Sequence, residues 1–400
     1  MLASFPGEIC FLLQSVRSAE TPNEEALKFL SGNFDWDLLF RAAEKNLVVP
    51  PVYHALTSID SSIVPGSILE KFKTTSSRIM ARNMILRREL ARLLQLFQDR
   101  QIPVIPFKGP VLTERLYENA GLRLYDDLDV LIHREDIDKI RDLLFSNGYR
   151  LKSVLSGLSS SQEKAYRTSQ YTYDYISRNS GYQLEVHWEL LPKNFSLELD
   201  YDQLWKRCCE TDFENLRILQ FSPEDLLFIL CISGAKKNWA HLLRVCDLQR
   251  ARMKYGDVDW IEIGNTAKRS GAERILFTGL ALSSTLFELP LPSSIQARIE
   301  QSKEVKSLIE RIIMEMFAMN SATGNIIQPE DQFQPMHVRI RERWSDRVAY
   351  CLKVAFTPGV GEWSVVTLPG SLYFLYYFMR PVRLLSKAAA RLIRKFRRTT

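Results

Sequence analysis

The stretch Arg123-Leu-Tyr-Asp-Asp-Leu-Asp-Val-Leu-Ile132 constrains the fold more than any other part of the chain. Side chains alternate faces along a strand, so Asp127 and Asp129 project together while Leu128, Val130 and Ile132 point into a core. Two neighbouring carboxylates repel each other unless a cation sits between them, and oxygen-only ligation suits magnesium that also holds substrate phosphates. One face of this sheet must therefore be covered by apolar side chains and the other kept open to a ligand. A lone Asp-x-Asp is also common as a pair of solvated loop acids, so the neighbouring segments have to decide.

Gly181 to Leu190 repeats the pattern. Gln183, Glu185, His187 and Glu189 share one face, and Leu184, Val186 and Trp188 the other. Burying an unpaired carboxylate costs several kcal/mol, so Glu185 calls for a metal, a proton or an open, solvated sheet face. His187 on the same face either assists a substrate or packs beside Trp188. A third piece is Phe107-Lys-Gly-Pro110. Here a glycine lies between a strand-like run, Ile102 to Phe107, and a helix, Val111 to Tyr117, where main chain can approach a phosphate closely.

These pieces sit in a chain of 400 residues that reads as several units. Residues 1–100 carry helical spacing over Asn23 to Leu30, Trp36 to Lys45 and Ile68 to Arg100, interrupted at Pro50-Pro51 and Pro65-Gly66. Residues 101–200 mix strands and helices. Leu128 to Ile132, Tyr171 to Ser177 and Tyr182 to Leu190 are strands, with Arg178-Asn-Ser-Gly181 as a hairpin turn and Glu135 to Asn147 a helix stopped by Gly148. Residues 201–320 return to helices: Asp225 to Ala235 after the Ser222-Pro223 start, Trp239 to Arg252, Trp260 to Ser270, Glu273 to Phe287 and Ser302 to Ala318. The class is α+β, a mixed β-sheet with flanking helices and helical regions at both ends.

Charge excludes one class of partner. The net charge is +6, but no acidic residue follows Glu362 and eight basic ones do, which leaves residues 1–362 at +6 − 8 = −2. A nucleic-acid-binding body would need its Lys and Arg on the folded domain, so no nucleic acid is expected. Six cysteines without paired Cys-x-x-Cys spacing indicate neither a zinc site nor a disulfide framework and fit a reducing cytoplasm. Glu8 ahead of the apolar patch Ile9 to Leu13, with no basic lead-in, argues against a signal peptide. His54, His133, His241 and His337 share no ligand spacing. Asp247 reads first as an intrahelical partner of Arg244 or a helix packing contact, with a substrate-side role the alternative, and Asp126 as solvated or as a partner of the metal ligands.

Taken together, Lys108-Gly109, Leu122 to Ile132, Leu184-Glu-Val-His-Trp188, Pro223-Glu-Asp-Leu-Leu227, and Trp239 with Arg244-Val-Cys-Asp247 resemble the DNA polymerase beta-like nucleotidyltransferase superfamily. More narrowly, they resemble a bacterial nucleotidyltransferase family often found near exopolysaccharide and peptide-modification genes. The likeness runs from about Phe107 to Leu286, with a looser match at Leu368-Pro369 and Tyr377 to Leu385. It implies a catalytic domain over 101–200 and a magnesium-dependent enzyme that moves a nucleoside monophosphate from a nucleoside triphosphate, ATP among them. The acceptor would be a small-molecule, lipid-linked or peptide hydroxyl or phosphate. Asp127, Asp129 and Glu185 would be the catalytic set, holding two Mg2+ ions. Lys108 and Gly109 would contact the nucleotide, and Arg123 would either neutralise phosphate or pair with a structural acid. Two departures stand out: Pro110 replaces the usual phosphate-binding Ser, and Ser233 and Lys237 stand where the family commonly has His.

The C-terminal extension, 321–400, differs again. Ser364 to Met379 is uncharged and aromatic but too short to span a bilayer, and Val382, Leu385, Ala389, Leu392, Ile393 and Phe396 lie at helical spacing among basic residues. That composition fits either a peripheral helix on an anionic inner-membrane surface or a helix packed on the body. Three functions stay open on the sequence: the transferase, a non-catalytic nucleotide-binding regulator, and a membrane-surface scaffold for polysaccharide assembly.

Overall fold

The computed structural model describes residues 5–17, 24–30, 33–60, 62–117, 119–152, 155–318, 333–366, 368–369 and 372–396. Five strands form its central sheet: β1 (Val104–Pro106), β2 (Asp127–Ile132), β3 (Tyr149–Leu151), β4 (Thr172–Ser177) and β5 (Gln183–His187). Their spatial order is β1-β2-β5-β4-β3. The pair β2 and β5 is parallel and the other three pairs are antiparallel. A parallel pair needs a long crossover. Here it is supplied by helix Ile137–Ser146, β3, helix Ser160–Ser169 and β4. The turn 178–181 then closes the β4–β5 hairpin, with Gly181 at φ +73°.

Each face of the sheet has its own core. Leu128, Val130, Ile132, Leu184 and Val186 pack with Leu86, Leu90, Leu93 and Phe97 of helix Gly66–Asp99 and with Ile140 and Leu144 of helix Ile137–Ser146. On the other side Ile105, Phe107 and Leu131 join a larger core of N-terminal helices and the helices Pro223–Lys236, Leu242–Lys254 and Glu273–Phe287. Helix Pro223–Lys236 is apolar around its whole circumference, and accordingly Leu226 to Ile232 are all buried. The carboxylates of β2 and β5 thus face the layer of helices that follows the sheet in sequence.

The α+β class and the mixed sheet are as the sequence implies. The expected strands and helices fall close to their bounds, β3 and helix Ser160–Ser169 come in addition to them, and three further details differ. Pro50 and Pro51 begin a helix, Val49–Thr57, because the first turn has no use for their missing N–H groups. The strand read to Leu190 ends at His187, and Glu189 turns to pair with Arg134 at 2.7 Å. The hairpin β6 (Cys209–Phe213) and β7 (Leu216–Gln220) was not expected.

At the C-terminal end, helix Leu375–Phe396 follows helices Trp344–Phe356 and Val360–Trp363. Its beginning is fastened to the body. The Tyr376 hydroxyl donates to Val366 O at 2.7 Å and accepts from Leu368 N, while the buried Glu362 carboxylate holds Arg380 at 3.0 Å and Arg383 at 2.6 Å. Among the described residues no helix is long and apolar enough to cross a membrane. Arg397 and Arg398 lie outside the described residues.

Candidate active site

Register places the acids. Asp129 lies opposite Glu185 across the parallel pair, and Glu185 lies opposite Asp174 across β4–β5, so three carboxylates share one row. Asp127 stands one step along β2, opposite Gln183. His187 follows Glu185 on the same face, and its Nε2 is 3.1 Å from Asp129 Oδ1 and 3.4 Å from Glu185 Oε2. Lys108 closes the other side by donating from Nζ to Asp129 Oδ1 at 2.8 Å.

Lys108 owes its position to the turn between β1 and helix Gly109–Leu116. Gly109 has φ +54°, and a Cβ there would meet the Asp127 carbonyl oxygen at 3.1 Å. Only glycine adopts this conformation without strain. Pro110 occupies the second helical position, where its absent N–H breaks no helical bond. Gly109→Ala is expected to destabilise the protein by about 1–2 kcal/mol, the usual left-handed penalty, measured by denaturant melts. It should also displace Lys108 from Asp129.

Burial and charge divide the titrating groups. Burial, then the charges of Asp129 and Glu185, push the Asp127 carboxyl up to about 7. Asp129 behaves in the opposite way: burial opposes its ionisation, but Lys108 and the His187 hydrogen bond outweigh it and hold the group well below the ordinary range. Glu185 is lowered too, its burial being overcome chiefly by the His187 hydrogen bond. Burial disfavours the charge on His187, yet Asp129 and Glu185 raise its pKa on balance.

The acids open into a cleft of about 670 Å³ that is also lined by basic residues, Lys236, Lys237 and Arg244 from the helical layer and Lys152 beside Asp174. Helix Pro223–Lys236 and the loop after it therefore reach the site through Ser233, Lys236 and Lys237. Arg123 is buried against Asp247, donating from Nε at 2.8 Å and from Nη2 at 2.9 Å, while Tyr117 donates to the same carboxylate at 2.7 Å. Asp247 is thus the partner of Arg123 rather than of Arg244. The third Arg123 nitrogen, Nη1, is buried without a hydrogen-bond partner, as is Arg244 Nε. Asp126 is exposed at the rim, 2.7 Å from Arg82.

The donor set suits a cation. One ligand atom each from Asp129, Glu185 and His187 lie within 4.8 Å of one another. In addition, Asp129 Oδ2 is buried with no hydrogen-bond partner, a costly state that a bound cation would relieve. Among the residues expected from sequence, Asp127, Asp129, Glu185, Lys108, Gly109 and Arg123 all line this one cleft. Asp174, Lys152 and Lys236 were not anticipated. The hairpin turn 178–181 gave a signal for Asp174, since counting outward from it pairs Asp174 with Glu185.

No curated protein matches the chain. A crystal structure of an antigenic nucleotidyltransferase-like protein from Paracoccidioides brasiliensis aligns at 16% identity and a TM-score of 0.33, over 56% of this chain and 92% of its own, a likeness on which nothing below rests. The family described as uncharacterised nucleotidyltransferase matches residues 32–288, a span that contains every residue of the cleft. With well over half of its length inside that match, the chain belongs to this nucleotidyltransferase family.

Proposed function

We propose that the protein is a divalent-metal-dependent nucleotidyltransferase that transfers a nucleoside monophosphate from a nucleoside triphosphate to an acceptor hydroxyl or phosphate. The observation that carries this reading is Asp129 Oδ2, buried without a partner beside Glu185 and His187 in a cleft also lined by Lys236, Lys237 and Arg244. Asp127 and Asp129 would hold Mg2+, with Glu185 completing the set, and two ions would supply charge neutralisation of the triphosphate and activation of the acceptor oxygen. His187 adds a nitrogen donor, which favours Mn2+ as a working substitute.

The chain's own groups do the rest. Lys108, Arg123 Nη1 and Arg244 Nε supply N–H donors for triphosphate oxygens, and the latter two are buried with no competing partner. The acceptor oxygen forms a bond to the α-phosphorus while the bond to the leaving pyrophosphate breaks. Glu185, ionised at neutral pH and one-fifth exposed, takes the acceptor's proton. A setting in exopolysaccharide or peptide modification is consistent with an acceptor that such pathways provide.

Titration calorimetry tests the metal site directly. Asp127 carries a proton below its pKa of about 7. A metal ion must displace that proton, so affinity should climb by up to about tenfold per pH unit below neutrality and level off above it. Buffers of different ionisation enthalpy should count protons released from Asp127 and His187 at acid pH and fewer above pH about 8, and Asp127→Asn should lower the acid-pH count by close to one. The same titrations with each of the four nucleoside triphosphates should show binding that requires Mg2+ or Mn2+. Tight nucleotide binding indifferent to metal would instead favour a non-catalytic nucleotide-binding module.

A further inference from the structure

The docked C-terminal helices leave a large apolar surface uncovered. Helix Trp344–Phe356 turns Tyr350 and Val354 into the protein, yet exposes Trp344, Val348, Leu352 and Phe356 at every fourth position. Phe374, just ahead of the neighbouring helix, and Phe378, Val382 and Leu385 on it form a second stripe, with Phe378 68% and Leu385 70% exposed. The two helices are fixed to each other, Arg380 Nε donating to Val354 O at 3.2 Å. Neither stripe is therefore a loose end awaiting a place in the core. Clusters of exposed large apolar side chains on this scale mark an interaction surface.

Charge identifies what the surface meets. From Trp344 to Thr400 the sequence has ten basic residues and two acidic ones, Asp346 and Glu362. Glu362 is buried and already engaged by Arg380 and Arg383. Of the remaining eight basic residues, six, from Lys387 to Arg398, follow the second stripe in sequence with no acid among them. A second copy of the chain would bring one such cluster against another and be repelled. An anionic surface with an apolar interior attracts both features at once. We propose that helices Trp344–Phe356 and Leu375–Phe396 together dock the protein on the anionic face of a lipid bilayer, lying in the interface rather than crossing it. This proposal is independent of the nucleotide reading, since none of these residues lines the cleft.

Gradient flotation of the purified full chain tests it, using vesicles of phosphatidylcholine alone and of equal parts phosphatidylcholine and phosphatidylglycerol. The protein should float with the anionic vesicles at least about tenfold more strongly than with the neutral ones, and added salt should erase much of the difference. Phe378→Asp with Leu385→Asp, and separately Trp344→Asp, should each lower that partition by about tenfold or more, given the burial such side chains gain at an interface. All three residues are exposed, so circular dichroism and metal binding should match those of the unaltered chain. Equal partition to both vesicles, variants that float like the unaltered chain, or light scattering that shows these stripes joining two copies would each overturn the proposal.

Discussion

Asp129→Asn is expected to reduce pyrophosphate release by about a thousandfold or more, equivalent to about 4 kcal/mol of lost transition-state stabilisation. The substitution keeps the shape of the side chain and removes its charge. Asp129 is the junction of the site: its Oδ1 accepts from Lys108 and faces His187 Nε2, while its Oδ2 has no protein partner. An amide can offer a cation only a neutral oxygen, and its NH2 group would face either Lys108 or the bound ion with the wrong polarity. Asp126→Asn is the matched control, because Asp126 is exposed at the rim and pairs with Arg82. Its activity should stay within about twofold of the unaltered protein, as expected for an exposed pair of little energetic weight. The assay supplies each nucleoside triphosphate, Mg2+ and an extract containing acceptors, and follows pyrophosphate. Equal release by Asp129→Asn, Asp126→Asn and the unaltered protein would sink the transferase reading.

The parts of this site that could be read from sequence are those governed by local geometry. Alternation along a strand put Asp127 and Asp129 on one face and Glu185 and His187 on one face, whatever the strands paired with. The glycine turn next to Lys108 was likewise a local feature, though its left-handed φ and the Asp127 carbonyl it must clear come only from the folded arrangement. The basic lining was not legible. Lys236 and Arg244 sit on separate helices, and only packing of the helical layer against the sheet brings them into one cleft with Asp129. Arg123 and Asp247 are 124 residues apart, so the neighbour on the same helix, Arg244, looked the better partner for Asp247. The hairpin of β6 and β7 escaped notice because its outward residues, Glu210, Asp212 and Arg217, are charged and its apolar positions are few. Pro50 and Pro51 misled for a different reason: a proline pair stops a helix from the inside but suits its first turn.

Asp247→Ala should be the most damaging single substitution to stability around the cleft, at about 3–5 kcal/mol, the usual cost of stripping the partner from a buried charge. Arg123 is 6% exposed and Asp247 4%, and the two share a bidentate pair that Tyr117 completes. Alanine leaves the guanidinium buried with only its surroundings to face, and its pKa lies far too high for it to escape by losing a proton. Chemical denaturation should report the loss as a lower midpoint. Replacing both partners, Arg123→Met with Asp247→Leu, removes the stranded charge as well, and much of the stability should return. The same double variant separates structure from function. Its fold is restored without Arg123 Nη1, so nucleotide affinity should stay low even where the melt is normal. A double variant as unstable as Asp247→Ala would mean that the ion pair is not the main term, and one that bound nucleotide normally would remove Arg123 from the phosphate-binding set.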